Sequence, residues 1–218
     1  MIALDILLIV FLFSLFAFSH TWLASRKFKT ALAEKIGNRI AFYRMFYNVS
    51  SILFFLVFLA VAPKPDAIIY DLQFPFDIIT FALQVLSLVG LIWTFSQFDS
   101  KEFLGISQIR RFMNGTYSED ALDEKQELKF DGAFKYMRHP VYFFFIMFLG
   151  LRPQMTLFYL VMFTCCVVYF YVGSIYEERK LVEIFGEQYK QYQRKVGRIM
   201  PGIKFRKAKN ENGIDVKA

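Results

Sequence analysis

The stretch that decides the fold is residues 135–145, which read KYMRHPVYFFF. Its arginine, histidine and proline stand where a polar segment turns into an apolar run, residues 141–151. Proline in the first turn of a helix removes only an amide that would lack a partner anyway, so His139 and Pro140 predict a helix start. The run is too short to cross a bilayer, which takes about 20 residues. It therefore predicts a short helical arm that turns at Arg152-Pro153.

Longer apolar runs surround that arm. Residues 2–19 carry a single charge, and residues 45–62, 78–98 and 153–176 carry none. Each is long enough to span the hydrocarbon core of a membrane. The first run lacks the basic start and the cleavage site of a signal peptide, so we expect it to be retained. The sequence predicts an all-α integral membrane protein of about five transmembrane helices, the last two forming a hairpin.

The composition also favours a membrane protein. Of the 218 residues, 56% are hydrophobic and 28 are phenylalanine, which is more apolar surface than a soluble domain can cover. A net charge of +7 would suit nucleic acid, but the basic residues flank the apolar runs, as they do at a cytoplasmic membrane face. Membrane lipids, and no nucleic acid, are the expected partners. The oligomeric state is left open.

The positions of lysine and arginine predict the orientation. Residues 20–44 carry six basic residues against one acid, whereas residues 63–77 carry one basic residue against three acids. Because cytoplasmic loops are enriched in basic residues, the first loop, residues 99–138 and the C-terminus are predicted to be cytoplasmic. We expect a multi-pass protein of the bacterial inner (plasma) membrane.

The segment after the last span predicts an amphipathic cytoplasmic tail helix that ends at Pro201-Gly202. Residues 116–127 read as a charged surface loop, and residues 202–218 as a disordered polar tail. The helix would lie on the membrane or on the protein's own underside. Its apolar stripe recurs at spacings of three and four: Leu181, Phe185, Tyr189, Tyr192 and Val196.

Polar residues collect at the inner ends of the predicted hairpin. Arg138 and His139 open the short arm, Glu177 and Glu178 close the long arm, and the tail helix with Arg198 folds over them. Such a pocket suits a zwitterionic cofactor that carries a positive sulfonium. An arginine binds a carboxylate with two hydrogen bonds, and a carboxylate binds hydroxyls or an amine.

Each of these features also has a plainer explanation. Arg138 is explained as the positive flank of a membrane helix, and the two glutamates as a solvated helix end. The aromatic stripe fits packing, and His20 fits an interfacial residue at the end of the first span. With only two histidines, and with Cys165 and Cys166 adjacent in an apolar run, no metal site and no Cys-His nucleophile are expected.

Two strings resemble a known superfamily. RHPVY at residues 138–142 is followed 35 residues on by EERKLVEIFGEQYKQYQRKVGRIMP at residues 177–201. Together they resemble the C-terminal signature of the isoprenylcysteine carboxyl methyltransferase and phospholipid methyltransferase superfamily. Three further strings, SHTWLASRKFK, FDSKEFLGISQIRRF and RPQMT, resemble segments of its methanethiol S-methyltransferase (NnrU-like) branch.

The resemblance implies a single domain over residues 1–201 whose cofactor half, about residues 130–201, binds S-adenosylmethionine. The implied reaction is methylation of a small thiol such as methanethiol. Two alternatives are a lipophilic acceptor, namely a prenylcysteine carboxylate or a phospholipid amine, and a non-catalytic membrane scaffold of the same fold. The implied cofactor-binding residues are Arg138, His139, Pro140, Tyr142, Glu177, Glu178, Tyr189 and Arg198.

Three expectations follow from the resemblance. Of the two acids, Glu178 is the stronger candidate for cofactor contact. A thiol acceptor must lose its proton, and the candidate bases are His20, His139 or a nearby tyrosine. The superfamily usually has glycine where this chain has Phe144, so we expect that ring to narrow or shift the cofactor site.

Overall fold

The computed structural model describes residues 1–118 and 128–202. Residues 203–218 of the predicted disordered tail and residues 119–127 of the predicted charged loop lie outside the described residues. Two short strands are present, β1 (Ile68–Asp71) and β2 (Gln154–Thr156). The α-helices are α1 (Ile2–Ala24), α2 (Arg26–Ile36), α3 (Tyr43–Val61), α4 (Phe76–Phe95), α5 (Ser100–Leu104), α6 (Ile106–Met113), α7 (Pro140–Gly150), α8 (Leu157–Phe185) and α9 (Glu187–Lys195).

Four helical segments are long and apolar enough to cross a membrane. They are Ile2–Ala24, Arg26–Val61, Phe76–Phe95 and Leu157–Phe185, and the apolar part of the second is α3. α7 is the predicted short apolar arm, and α7 and α8 form the predicted hairpin. The fold class, an all-α integral membrane protein, is therefore confirmed.

Helices α1, α3 and α8 pack together around a common apolar core. Ile9 and Phe13 of α1 meet Phe58 of α3, and Phe158 and Met162 of α8 complete the contact. The rings of Phe13 and Phe58 meet edge to face, with centroids 5.6 Å apart. This core holds the long arm of the hairpin against the first two spans.

The short arm α7 packs against α4 through an aromatic ring and a glycine. A Cβ atom at Gly90 would lie only 2.3 Å from the ring of Phe144, so the ring occupies the space that the missing side chain leaves. The side-chain amide of Gln84 also donates a hydrogen bond to the carbonyl of Phe148, at 2.8 Å. α4 is thus the helix that positions the short arm.

A two-stranded antiparallel sheet, which the sequence did not predict, lies at the outer end of the hairpin. Ile68 of β1 pairs with Thr156 of β2. Thr156 is also the N-cap of α8, which begins at Leu157 and not at residue 153. The guanidinium of Arg152 lies 3.7 Å from the centre of the Tyr159 ring. The predicted turn is correct, but a strand separates it from the helix.

The predicted continuous tail helix is wrong in one respect. α8 runs on to Phe185, and the chain then turns at Gly186, whose φ of 56° is a conformation that glycine adopts at little cost. α9 follows and ends at Lys195, before the predicted end at Pro201. Tyr189 and Tyr192 are buried against the protein, so α9 covers the inner end of the hairpin.

Candidate functional site

The side chain of Glu178 is the centre of a buried polar network at the inner end of the hairpin. It is 3% exposed. Arg138 donates to its two oxygens from Nε and Nη2, at 2.8 and 3.1 Å. His139 Nε2 lies 3.2 Å from one oxygen, while Gln193 and Arg198 donate to the other at 2.9 and 3.1 Å. The network therefore joins the start of α7, the end of α8 and the tail.

Arg138 is committed to the protein itself. Besides its two bonds to Glu178, its Nη1 donates to the carbonyls of Gln193 and Val196, at 3.0 and 2.5 Å. The backbone amides of Arg138 and His139 donate to the carbonyl of Arg198, at 3.1 and 2.9 Å. The two-bond geometry that the sequence suggested for a cofactor carboxylate thus joins the start of α7 to Glu178 of α8, while Nη1 and the backbone amides hold the tail.

Glu177 faces the other way. Its side chain is 54% exposed, and its two oxygens lie 2.5 Å from the hydroxyl of Tyr142 and 3.3 Å from Nδ1 of His139. The rings of His139 and Tyr142 stack with centroids 5.2 Å apart. The Tyr142 hydroxyl passes close to Gly173 of α8, at 3.9 Å from where a Cβ would lie, which is an ordinary van der Waals distance. The adjacent acids therefore differ in role because they point in different directions from α8.

His139 lies between the two acids, and its protonated form is stabilised there. Burial by itself lowers the pKa of His139, but the hydrogen bonds and negative charges of Glu177 and Glu178 outweigh burial. The pKa of His139 is therefore raised above its ordinary value. Since each ring nitrogen faces a carboxylate, this histidine is poorly suited to accept a proton from a substrate.

A cavity of about 420 Å³ opens beside Glu177. This volume lies in the range of small-molecule and cofactor sites. One side is polar and the other is aromatic or aliphatic. The polar lining consists of Lys129, Arg138, His139, Tyr142, Glu177, Tyr189 and Tyr192. The apolar lining consists of Phe95, Phe98, Phe103, Leu128, Phe134, Pro140, Val141 and Leu181.

The structure brings most of the predicted site residues to this cavity. Glu178 and Arg198 do not line the cavity. Both hydrogen-bond to Arg138 and His139, which do line it. Direct contact of Glu178 with a cofactor stays a prediction, but its geometry fits a positioning role. His20 lies in a separate cluster with Tyr47. The lining residues that were predicted are Arg138, His139, Pro140, Tyr142, Glu177 and Tyr189.

Phe144, which was expected to narrow or shift the cofactor site, is not among the residues that line the candidate cavity, and its effect on cofactor binding stays a prediction. Its ring packs on Gly90 of α4. The glycine that makes room for the Phe144 ring therefore lies on the neighbouring helix α4. No pattern within the short arm itself indicates that pairing.

The sequence reading missed Lys129, Tyr192 and the aromatic side of the cavity. Lys129 hydrogen-bonds to the carbonyl of Gln97, and its Nζ lies 5.2 Å from the centre of the Phe98 ring. The available signal was position: Lys129 stands a few residues before RHPVY, and Phe98 opens a string that resembles the methyltransferase branch. Neither signal specifies contact with the pocket.

The cavity fits a zwitterion that carries a sulfonium. Glu177 offers a half-exposed carboxylate, and Lys129 offers an ammonium group. Tyr189 is 2% exposed and adds a tyrosine to the polar lining of the cavity. Aromatic faces in the lining favour a nearby positive charge.

Comparison with known proteins identifies the family. The chain is 30% identical to a methanethiol S-methyltransferase of a Pseudomonas sp. strain. The alignment spans 206 residues, which are 91% of this chain and 74% of the relative. The chain belongs to the methanethiol S-methyltransferase family. The branch that the resemblance indicated is thereby confirmed.

Two further members of the methanethiol S-methyltransferase family show how far the likeness extends. Methanethiol S-methyltransferase 1 of Bradyrhizobium diazoefficiens is 28% identical over 195 residues, 87% of this chain and 65% of that protein. The enzyme of Pseudomonas deceptionensis is 40% identical over 91 residues, 38% of this chain and 35% of that protein. The chain thus spans only part of the length of each relative. No protein-family model and no solved structure matches it.

Proposed function

We propose that this protein is a membrane-embedded methyltransferase that uses S-adenosylmethionine to methylate a small thiol, such as methanethiol. The observation that carries the proposal is the cavity of about 420 Å³, whose lining combines the carboxylate of Glu177 with the side chains of Lys129 and Tyr189. The names of the relatives support the reaction and the acceptor. The basic loops support a cytoplasmic C-terminus and a place in the bacterial inner membrane.

Each polar lining residue has a distinct role in this proposal. S-adenosylmethionine supplies a methyl group on a positively charged sulfur. Glu177 favours that positive charge and accepts hydrogen bonds from the cofactor's hydroxyl or amino groups. Lys129 pairs with the cofactor carboxylate, a role that Arg138 is less free to take. Tyr142 and His139 hold the Glu177 carboxylate in place, and Glu178 holds His139.

The apolar side of the cavity serves the acceptor. Phe95, Phe98 and Phe103 line it, so water is excluded from the position where the methyl group is transferred. Thiolates are the reactive form of thiols, and a neighbouring positive charge favours them. Holding acceptor and donor in line accounts for much of the expected rate enhancement.

The same aromatic side is the observation that favours a lipophilic acceptor, since a prenyl or acyl chain would also pack against phenylalanine. The scaffold alternative rested on Phe144 crowding the cofactor site, and the packing of that ring on Gly90 of α4 favours the enzyme hypotheses instead. The two enzyme hypotheses share one cofactor site and differ only in the acceptor.

Calorimetry with the purified full-length protein in detergent tests the cofactor site. We expect saturable binding of S-adenosylmethionine, about tenfold weaker in Glu177→Gln because a charge-assisted contact is lost. Glu183→Gln, an exposed acid on the same helix, is the matched control and should bind like the wild type. No saturable binding by the wild type would reject both enzyme hypotheses.

A transfer assay then identifies the acceptor. Methyl-labelled S-adenosylmethionine is incubated with methanethiol, ethanethiol, a prenylcysteine and phosphatidylethanolamine. Transfer to the short thiols supports the proposed function. Transfer to the prenylcysteine or the lipid alone would replace the thiol with the lipophilic acceptor.

A further inference from the structure

The short helix α5 is fastened to α3 at the backbone carbonyl of Phe103. Arg44 Nε and Asn48 Nδ2, both on α3, donate hydrogen bonds to this oxygen at 3.0 and 2.8 Å. The guanidinium of Arg44 also lies 5.1 Å from the centre of the Phe103 ring. The last carbonyls of a helix have no partner within that helix, so these two side chains complete the end of α5. Two donors from a neighbouring helix therefore fix the place of Phe103.

Gly105 allows α5 to approach α3 this closely. Its φ is 89°, and a Cβ at this position would lie 2.8 Å from the amide nitrogen of Met45 and 3.1 Å from the Cβ of Arg44. A larger residue would be strained both by this φ and by these contacts. At its other end, α5 is capped by Asp99, which accepts hydrogen bonds from two backbone amides at 2.9 and 3.2 Å. The helix is thus held at both ends, although it has only five residues.

The ring of Phe103 lies at the rim of the cavity beside Glu177. Phe103 lines the cavity and is 37% exposed. Phe95 of α4 also lines the cavity and is 38% exposed. The two rings meet edge to face, with centroids 5.9 Å apart. An apolar ligand that extended past this pair would leave the cavity.

The acceptor has to share this cavity with the methyl donor, because its sulfur must reach the donor's methyl group. The polar side takes the donor, and Phe98 lies close to that side, with its ring centre 5.2 Å from Nζ of Lys129. The acceptor is left with the apolar space that ends at Phe95 and Phe103. The length of acceptor that fits therefore depends on where these rings stand.

We propose that Phe103 limits the size of the thiol acceptor, and that Arg44 and Asn48 hold its ring in the place where it does so. This inference rests on the proposed function and names the residue that selects among acceptors. A short thiol fits between the donor and the ring, whereas a longer alkyl chain meets the ring. Arg44 and Asn48 do not line the cavity. They are positioning residues that act on the acceptor through Phe103.

The first test measures kcat/KM for linear thiols from methanethiol to hexanethiol, with the full-length enzyme and methyl-labelled S-adenosylmethionine. One methylene group in an apolar pocket changes kcat/KM by about 10- to 200-fold. Phe103→Ala removes the ring and should raise the ratio of hexanethiol to ethanethiol activity at least about tenfold over the wild type. Phe112→Ala is the matched control, because that ring packs on Phe42 and does not line the cavity. It should keep the wild-type ratio.

The second test separates positioning from a general structural effect. Asn48→Leu keeps the approximate size of the side chain but removes one of the two hydrogen bonds to the Phe103 carbonyl. It should shift the thiol ratio in the same direction as Phe103→Ala, by a smaller factor because Arg44 remains. Gln84→Leu removes a similar bond between helices, from the amide to the carbonyl of Phe148 at 2.8 Å. It should keep the wild-type ratio even if it lowers stability.

The affinity for S-adenosylmethionine, measured by calorimetry, should be the same in the wild type, Phe103→Ala and Asn48→Leu. An unchanged thiol ratio in Phe103→Ala would overturn the inference, as would a wild type that already prefers hexanethiol. A shift in Phe103→Ala with none in Asn48→Leu would overturn the positioning role. Should Phe103→Ala not fold, Phe103→Leu is expected to give a smaller shift in the same direction.

The outcomes also distinguish this inference from the proposed function. Failure of the wild type to bind S-adenosylmethionine would refute the proposed function. Normal cofactor binding and normal transfer to ethanethiol, with a thiol ratio that no variant changes, would refute only the role of Phe103.

Discussion

Arg138 and Glu178 form an ion pair with two hydrogen bonds, at 2.8 and 3.1 Å, which joins the start of α7 to the end of α8. Their side chains are 8% and 3% exposed. The ion pair of Arg138 and Glu178 is buried and stabilises the fold. The adjacent Glu177 instead lines the cavity. Two neighbouring acids thus divide into one that holds the site together and one that is available to a ligand.

Replacing these acids one at a time should separate stability from binding. Breaking a buried ion pair costs about 3–5 kcal/mol, so Glu178→Gln should lower the free energy of unfolding by about that amount and weaken cofactor binding indirectly. Glu177→Gln should leave the unfolding temperature almost unchanged and weaken binding about tenfold. Thermal unfolding and calorimetry on both variants provide the comparison. Equal effects of the two variants on both quantities would contradict the division of roles.

The contact between Phe144 and Gly90 should determine the stability of the short arm. Gly90→Ala places a Cβ 2.3 Å from the ring and should destabilise the protein by about 1–3 kcal/mol through overpacking. Phe144→Gly should also destabilise it, because it empties the contact with α4. In the helical control Gly173→Ala the new Cβ meets only the Tyr142 hydroxyl, at 3.9 Å, so little stability should be lost. A stable Phe144→Gly variant with tighter cofactor binding would show that the ring does crowd the site.

His139 should make stability depend on pH. Its folded pKa is raised, while its unfolded pKa is near 6.5. Its contribution is therefore fully present below about pH 6.5 and is lost as the pH rises through the raised folded value. In wild-type protein the unfolding temperature should fall over that window, and His139→Gln should flatten the curve. A curve of the same shape in the variant would assign the dependence to another group.

Gly197 should be essential for the anchoring of the tail. A Cβ at this position would lie 2.4 Å from the carbonyl oxygen of Met200, so Gly197→Ala must shift the backbone that receives the amides of Arg138 and His139. We expect lower stability and about tenfold weaker cofactor binding. Arg198→Gln removes a side-chain bond to Glu178 and keeps the backbone anchor, so its effect should be smaller. Limited proteolysis of the tail checks both variants, and equal protection of Gly197→Ala and wild type would refute the role.

The sequence by itself determined the membrane class, the hairpin and the meeting of residues 138–139 with residues 177–178. The hydrocarbon thickness sets how many apolar residues a span needs, so run lengths can be read directly. A hairpin places the start of its first arm beside the end of its second arm. The charged residues at those two positions must therefore meet at one side of the membrane. The glycine at position 186 could have indicated the break between α8 and α9. The regular apolar stripe that continues through Tyr189 instead favoured one continuous helix.

Only the tertiary structure decided which side of each helix faces which neighbour. Successive helical residues differ by about 100° in direction, so Glu177 and Glu178 diverge, and the packing of α7 and α9 on α8 selects the one that is buried. The ring of Phe144 packs on Gly90 of the separate helix α4. Strand β1 pairs with β2, whose residues lie more than 80 positions further along the chain, as Ile68 does with Thr156. These pairings depend on the relative rotation and height of separate helices, which local patterns along one helix do not specify.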